Sequence, residues 1–248
     1  MKKFLTTLLA LVMMLSFAAC SGKQPFDGGE EVTHSPTASA TQTLEPEATE
    51  EPAAQTAEPT NEPEASVDPI LGVYFEDTNT YENEYIGIGC KLDSDWVVYD
   101  EEQIAELNGI VVDMITDETI ADQLEKSGYL QPFYALTEEG LVTVNITLEN
   151  LGLLYGSLLD EQAYAEIASE QLPSAFEGLG MTDVTVETDT VTFAGGEHAA
   201  IFVSGSLEGI EFHEILVCMK VGRYIANITA ASYLADVTED VLALFYAL

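Results

Sequence analysis

The alternation of apolar and polar residues predicts a run of β-strands in the C-terminal half of the chain. Four stretches rich in β-branched residues follow one another there, separated by short turns: 184–194, 199–207, 210–221 and 224–232. Turns this short join adjacent strands as hairpins, so the pattern predicts an antiparallel sheet.

Another hairpin is predicted upstream, where 130–137 and 141–149 flank a glycine-containing turn at 138–140. In the second of these strands apolar residues alternate with threonine and asparagine. We therefore expect one face of that strand to lie in the core and the other to be polar. Residues 85–92 show the same period, and the short segment 96–99 is apolar.

Helix signals lie between these strands. Asp100, with Gln103 three residues later, matches a capping box and predicts a helix start. Asp117 opens a second short helical segment, which Ser127-Gly128 should end because glycine readily adopts the left-handed conformation of a helix C-terminus.

Two further helices are predicted closer to the C-terminus. One runs from Asp160 to Leu179, with a kink at Pro173 because proline cannot donate the helical hydrogen bond. Asp236 and Glu239 match a last capping box. The helix that follows should bury the apolar residues Val241, Leu242, Leu244 and Phe245.

These elements predict an α+β domain over residues 69–248, built from an antiparallel β-sheet of six or seven strands with helices packed on it. The segment is long enough to bury a sizeable core. Residues 199–207 are apolar on both faces, so we expect helices to cover both sides of the sheet.

The first 19 residues have the layout of an export signal. Lys2 and Lys3 precede an uncharged run that is shorter than the roughly 20 residues of a membrane-spanning helix. The run ends in Leu15-Ser16-Phe17-Ala18-Ala19-Cys20, which resembles the lipobox of bacterial lipoproteins. The resemblance implies cleavage before Cys20, a diacylglyceryl group on its thiol, and palmitate-type acyl chains that anchor the protein in the cell membrane. An ordinary secretory signal, cut after Ala19 and leaving a free thiol, is the alternative.

Residues 20–68 predict a disordered, lipid-anchored linker. They are rich in threonine, alanine, glutamate and proline, and the dipeptide Glu-Pro recurs four times. Such a segment cannot bury enough apolar surface to offset the entropy lost on ordering. A flexible chain of this length spans roughly 35–40 Å, and its charge and prolines should extend it further. We expect it to act as a tether.

The charge of the chain is strongly negative, with 7 basic against 44 acidic residues. Beyond residue 68 the basic residues are Lys91, Lys126, Lys220 and Arg223. Such a domain repels nucleic acid and anionic head groups and attracts cations or a basic partner. Solubility outside the cell is the simpler interpretation of this charge.

Two segments of the predicted domain carry a family resemblance. Tyr85-Ile86-Gly87-Ile88, followed by Asp95-Trp96 and a capped helix, is similar to the opening of PsbP-like domains, although Asp95 stands where the family has glycine. The stretch 191–200 is similar to its later hairpin with glycine at the tip. The resemblance extends over 85–248 and includes small envelope lipoproteins of Gram-positive bacteria. It implies an α/β/α sandwich and a non-catalytic accessory role, and it supplies no set of ligand-binding residues.

An oxygen-rich loop before the first clear strand contains side chains of the kind that calcium binds: Asp77, Asn79, Glu82 and Glu84. Glu82 stands where an EF-hand needs glycine, and Ile88 where it needs the bidentate glutamate. We therefore expect a solvated loop and no bound cofactor, with a calcium site as the alternative.

The histidines offer one candidate pair. Glu211 and His213 share a face of a predicted strand and can form a carboxylate–imidazole pair. His198 follows Glu197 beside a hairpin turn. Isolated histidines on neighbouring strands are more often structural than ligands, so we expect structural roles.

Cys90 and Cys218 each lie in a predicted strand. Export permits a disulfide, but it requires neighbouring strands with matching faces. Buried free thiols are the preferred interpretation, since free cysteine behaves as a small buried hydrophobe.

The sequence contains no Gly-x-Ser-x-Gly, Walker, dinucleotide or Ser-x-x-Lys motif. The hypothesis it favours is a secreted, membrane-anchored accessory or binding module of the cell envelope, without catalytic residues, whose partners are the membrane and an envelope protein rather than nucleic acid. The alternative is an envelope-acting hydrolase that uses scattered carboxylates or the pair His213 and Glu211. Two convergent carboxylates in a deep cleft would favour the hydrolase.

Overall fold

The computed structural model of the protein describes residues 70–110 and 116–248. The predicted signal at 1–19, the linker at 20–68 with its lipidation site, and the apolar stretch 111–115 lie outside the described residues.

The described strands form two antiparallel sheets. The smaller contains Val73–Phe75 (β1), Thr80–Asn83 (β2), Ile88–Lys91 (β3) and Phe245–Ala247 (β11), in the order β1-β2-β3-β11. The larger contains Trp96–Val98 (β4), Tyr129–Thr137 (β5), Val142–Asn150 (β6), Thr182–Phe193 (β7), Gly196–Leu207 (β8), Ile210–Val221 (β9) and Tyr224–Tyr233 (β10). Its order is β4-β5-β6-β10-β9-β8-β7.

Short helices connect the strands of the described chain. They are Glu101–Leu107 (α1), Asp117–Ser127 (α2), Gly152–Leu158 (α3), Glu161–Ser169 (α4), Leu172–Gly178 (α5) and Thr238–Leu242 (α6). None of the helices in the described ranges has the length and apolar character needed to span a membrane.

The predicted α+β class and the predicted hairpins are confirmed. The sequence predicts a single sheet, but the described residues form two, one of seven strands and one of four. Residues 85–92 contribute only Ile88–Lys91 to a strand, because the chain still turns between β2 and β3 and Gly87 has a positive φ of 84°. That strand belongs to the small sheet.

The large sheet buries both faces. On one face the first core lies between the large sheet, the small sheet, α2 and α6. On the other face the second core lies under α4 and α5, which pack on β7, β8 and β9. The sequence predicts helices on both faces of the large sheet. The face with the first core is covered by the small sheet as well as by α2 and α6.

The face of β6 opposite the first core is polar, as predicted, but its side chains Thr143, Asn145 and Thr147 are buried rather than solvated. Asn227 and Thr229 on β10 lie directly opposite and are buried as well. Within the described chain, the side-chain oxygens Asn145 Oδ1, Asn227 Oδ1 and Thr229 Oγ1 lack a hydrogen-bond partner. A buried polar atom left unpaired is costly, so we expect ordered water along this row.

The predicted helix from Asp160 to Leu179 is two helices. The chain breaks between α4 and α5, and Pro173 lies in the first turn of α5 rather than at a kink. Proline fits the first turn because the N–H it lacks would have no helical partner there. The helix start at Asp160 is confirmed: its carboxylate accepts a hydrogen bond from Ala163 N.

The C-terminal prediction is also corrected. Asp236 Oδ1 accepts hydrogen bonds from the backbone N–H and hydroxyl of Thr238, and no capping box with Glu239 forms. The helix ends at Leu242, so Phe245 belongs to β11, where it pairs with Cys90. Its burial was expected, and only its secondary structure differs.

The two edges of the large sheet differ. β4 is three residues long. β7 is twelve residues long, and most of its threonine, aspartate and glutamate side chains are exposed. Its register shifts between Thr182 and Thr185, where Asp183 has a φ of 56°. Such a bulge twists an edge strand and interrupts its row of hydrogen-bonding groups.

The two described cysteines are free and buried, which confirms the preferred interpretation. Cys90 lies in the first core and Cys218 in the second, on opposite sides of the large sheet. They therefore cannot bridge without rearrangement of the fold.

Candidate functional site

A cleft of about 570 Å³ opens between β1 and β2 on one side and β4, the start of α1 and β5 on the other. Four rings line it: Tyr74, Tyr81, Tyr99 and Phe133. The charged side chains that line it are all acidic: Glu76, Asp100 and Glu101. The volume falls in the range of small-molecule sites, which are mostly apolar with a few polar groups.

The floor of the cleft is fixed by Tyr81. Its ring stacks on Phe133 with centroids 4.3 Å apart, and its hydroxyl donates to Leu71 O at 2.8 Å. The buried amide of Asn83 donates both to Tyr81 Oη and to Ile70 O, each at 2.9 Å. Burial raises the pKa of Tyr81 well above its usual range, so this hydroxyl stays neutral.

The small-sheet wall depends on Gly72. Its φ is +70°, and a Cβ there would lie 2.6 Å from Glu82 O and 2.7 Å from Tyr81 Oη. A side chain at this position would therefore displace the wall or the ring.

The opposite wall is built on a bulge in β5. The register with β6 shifts between Leu130 and Phe133, and Pro132 lies in that interval. Asn108, buried at the end of α1, receives a hydrogen bond from Gln131 N at 2.7 Å and donates to Gln131 O at 2.8 Å. One amide side chain thus satisfies both backbone groups that a neighbouring strand would otherwise pair.

The rim rings are held by backbone and side-chain contacts. Tyr99 N donates to Tyr134 O at 3.0 Å, and the two rings meet edge to face with centroids 4.6 Å apart. Tyr74 Oη donates to Asn79 Oδ1 at 3.1 Å. Burial, and then the charge of Glu76, raise the pKa of Tyr74. The rim therefore presents neutral phenols in a negative field.

The capping box predicted at Asp100 and Gln103 is confirmed and orients the acidic end of the cleft. Gln103 N donates to Asp100 Oδ1 at 2.9 Å, and Asp100 N donates to Gln103 Oε1 at 3.0 Å. Glu101 follows in the first turn with an exposed side chain. Aromatic faces beside uncompensated carboxylates attract organic cations through both the ring quadrupole and the charge.

The calcium candidates are not brought together. Asn79 Oδ1 accepts from Tyr74, and Glu82 Oε1 accepts from Tyr246 at 3.1 Å. Asp77 and Glu84 are exposed at the β1–β2 and β2–β3 turns. In residues 70–110 and 116–248, no group of three or more histidine, cysteine, aspartate or glutamate side chains could hold a metal ion.

His213 lies in a second, shallower cleft of about 370 Å³. Its Nδ1 is 3.7 Å from Asp236 Oδ2, so its partner is Asp236 rather than the predicted Glu211. Ser204, opposite His213 on β8, shares a 2.6 Å hydrogen bond with Thr185. Among the hydrogen bonds of the described residues, none joins Ser204 to His213, so no nucleophile–base pair is formed.

His198 pairs with Glu161 rather than with its neighbour Glu197. Nδ1 of His198 lies 3.1 Å from Glu161 Oε2, while Glu197 accepts a hydrogen bond from Thr192. This contact fixes α4 on the sheet, which is the structural role expected for an isolated histidine.

Sequence reasoning did not find the aromatic cleft. Its rings come from three strands and the loop between β4 and α1, and no spacing along the chain links Tyr74 and Tyr81 to Tyr99 and Phe133. The one local signal was the acidic start of α1 at Asp100 and Glu101, directly after Tyr99.

Comparisons with known proteins give no information about the function of this cleft. No protein-family model matches the chain, and no curated protein sequence matches it. Among solved structures, the chain is similar to LpqN, which is involved in cell envelope biogenesis of Mycobacterium tuberculosis. The identity is 12% over 63% of this chain and 75% of that one, with a TM-score of 0.32. So low a similarity carries no argument about function, and the resemblance to PsbP-like domains stays a prediction.

Proposed function

We propose that this protein is a lipid-anchored, extracytoplasmic binding module of the cell envelope, without catalytic activity, whose aromatic cleft binds an organic cation or the cationic side chain of an envelope partner. The observation that supports this proposal is the lining of the 570 Å³ cleft: four rings and three carboxylates, with no basic side chain among the described lining residues.

The charge of the whole domain supports a cationic ligand. Beyond residue 68 the chain has only four basic residues and many more acidic ones, so the electrostatic field around the domain attracts cations. The cleft adds selectivity for organic cations, because its aromatic rings are already fixed in place and a cation can contact their faces with little loss of entropy.

The envelope location is supported by the sequence alone. A lipobox-like segment ends at Cys20, and an acidic, proline-rich linker separates it from the domain. Two acyl chains hold a protein stably at a membrane, whereas one gives only marginal binding.

The hydrolase alternative has less support. The pair formed by His213 and Asp236 lies in the shallower cleft, and the hydroxyl of Ser204 bonds to Thr185. In the part of the chain that the structure describes, no hydrogen bond connects His213 to a side-chain nucleophile that it could activate.

The test compares choline with 3,3-dimethyl-1-butanol, which has the same shape but carries carbon in place of the quaternary nitrogen. Binding to the full mature chain is followed by ligand-observed NMR at low and high salt. Choline should bind, more weakly at high salt because screening reduces the attraction of the carboxylates, and the neutral alcohol should not. Equal binding of the two would rule out the cationic ligand.

Matched variants locate the binding. Glu101 lines the cleft and Glu102 does not, although both are exposed in the first turn of α1. Glu101→Gln should weaken choline binding several-fold, because Glu101 is exposed and two charges about 4 Å apart in water attract by about 1 kcal/mol. Glu102→Gln should leave it nearly unchanged. A similar loss in both variants would place the cation outside the cleft.

A further inference from the structure

The helix α3 presents an unusual apolar surface to solvent. Leu153, Leu154, Tyr155 and Leu158 are 79%, 66%, 59% and 70% exposed. Four of the exposed large apolar residues in the described chain thus lie on one helix of seven residues. Scattered single apolar residues are normal on a surface, whereas a cluster of this kind indicates an interaction.

The helix is fixed in this orientation from behind. Gly156 is buried, and a Cβ there would lie 2.7 Å from Arg223 Cβ, so the helix backbone packs directly on the β9–β10 turn. Leu151 N donates to Arg223 O at 3.3 Å, and Lys220 Nζ donates to Leu159 O. The exposed face is therefore held in place.

The charge pattern at this end differs from the rest of the domain. Residues 150–159 contain no charged side chain. Arg223 and Lys220 contact α3 or the residue after it, and Lys126 follows Glu125, the ion-pair partner of Arg223. In the described ranges the remaining basic residue is Lys91. Arg223 and Lys220, two of the four basic residues beyond residue 68, therefore lie beside this apolar helix, with Arg223 ion-paired to Glu125 and the neighbouring Lys126 ion-paired to Asp122.

Ile70, which follows the predicted linker, is connected to this helix through intermediate residues. The carbonyl of Ile70, the first described residue, accepts a hydrogen bond from Asn83 at the end of β2. In the β2–β3 turn that follows, the ring of Tyr85 lies 6.3 Å from that of Tyr224. Arg223 in turn stacks on Tyr224 and backs α3. A short series of contacts therefore joins the point where the linker ends to the apolar helix.

We infer that this apolar face docks on the lipid surface to which the chain is tethered, with the leucines and Tyr155 entering the interface. The inference rests on the proposed lipid anchor at Cys20. Leucine and tyrosine on one helix face, with lysine and arginine beside them, are typical of surfaces that lie in a membrane interface.

The tether makes even weak docking effective. A flexible linker keeps its attached domain at a local concentration in the millimolar range for short spans. An affinity too low to hold the free domain on a vesicle is then sufficient to orient the anchored one. The test must therefore use the lipidated chain.

The test places a single indole on α3. Trp96 is the one tryptophan of the chain, and it pairs with Thr137, at the end of β5 away from α3. In a Trp96→Phe background, Leu154→Trp puts the probe on the docking face. Ile210→Trp is the matched control, an exposed apolar residue at the end of β9 away from Val221 and the α3 contact. Lipidated protein is inserted in phosphatidylcholine vesicles whose acyl chains carry bromine, which quenches nearby indoles.

Leu154→Trp should show blue-shifted, strongly quenched emission, and Ile210→Trp should show neither. If the protein floats with the vesicles but both indoles emit as in water, docking is overturned while the anchor stands. If the lipidated preparation does not float with vesicles, the anchor fails and the inference fails with it. If sedimentation of the Cys20→Ala chain shows a dimer that Leu154→Glu abolishes, the face binds a second copy, and the membrane assignment is overturned.

Discussion

Glu161 and His198, 37 residues apart in the chain, are joined by a contact of 3.1 Å between Oε2 and Nδ1. The other oxygen of the same carboxylate accepts the backbone N–H of Lys220 at 2.7 Å. One residue in the first turn of α4 therefore holds that helix on both β8 and β9, and the second core beneath it depends on this attachment.

Glu161→Ala should lower the free energy of unfolding by about 2 kcal/mol, because it removes a hydrogen bond to a charged group and leaves the Lys220 N–H without its acceptor. Glu161→Gln should cost less, since its amide oxygen can still accept that N–H. Urea unfolding followed by circular dichroism measures both. Glu170→Ala, at an exposed position just after the same helix, is the control and should change stability little. An equal loss in the control would contradict the attachment.

Glu214 should make stability fall as the pH rises. Burial raises the pKa of this carboxyl from its ordinary value of 4.5 to about 7, so the folded protein keeps a proton that the unfolded chain releases. The free energy of unfolding therefore falls as the pH rises from about 4.5 to about 7, and the full loss is present above pH 7. Glu214→Gln should raise the free energy of unfolding by about 3 kcal/mol at pH 8 and change it little at pH 4.5. Urea midpoints at both pH values test this, and a difference that does not change with pH would contradict it.

Asn108→Ala should loosen the wall of the aromatic cleft. It leaves the backbone N–H and C=O of Gln131 without their partner in a buried place. We expect a loss of about 2 kcal/mol in the free energy of unfolding and faster amide exchange at Gln131. Gln123→Ala is the comparison, because Gln123 only donates to Asn108 O. Unchanged exchange at Gln131 would show that water replaces the amide.

The two buried thiols should be unreactive in the folded protein. Burial raises the pKa of Cys90 to about 12 and that of Cys218 further, so neither forms the nucleophilic thiolate near neutral pH. A chromogenic disulfide reagent should detect no thiol in the folded lipidated protein and two after unfolding. A fast-reacting thiol before unfolding, or none after it, would contradict this arrangement.

Cys20→Ala should abolish membrane association. Each buried CH₂ of an acyl chain contributes about 0.8 kcal/mol, so two chains outweigh any attraction from an acidic protein. Wild type expressed in a bacterial host should enter the detergent phase, with an intact mass above that of the 20–248 polypeptide. The variant should stay aqueous with unchanged circular dichroism. Wild type in the aqueous phase with an unmodified thiol would disprove the anchor.

Features encoded within a few residues could be predicted from the sequence. The hairpins followed from turn length, and the capping box at Asp100 involves hydrogen bonds to a residue three positions away. Pro173 correctly marked a disturbance of the helix, but whether it bends one helix or starts another depends on packing that its neighbours do not encode.

Relationships between distant segments could not be predicted. β11 pairs with β3, which lies near the other end of the described chain, whereas the apolar period around Phe245 predicts a helix equally well. The strand period predicts Glu211 as the partner of His213, but the turn after β10 brings Asp236 next to it. No local pattern predicts the cleft, since its walls meet only when the small sheet packs on the large one.

The bulged, polar edge of β7 affects how copies of the protein meet when they are close together. The lipid anchor proposed above would confine the protein to two dimensions, where many copies meet. A flat strand at the edge of a sheet would invite a neighbour to add its own strand and begin a fibre. With Asp183 in a left-handed conformation and carboxylates at Glu187 and Asp189, each copy repels the strand of the next. On the proposed anchor, this edge would therefore disfavour strand pairing between densely displayed copies.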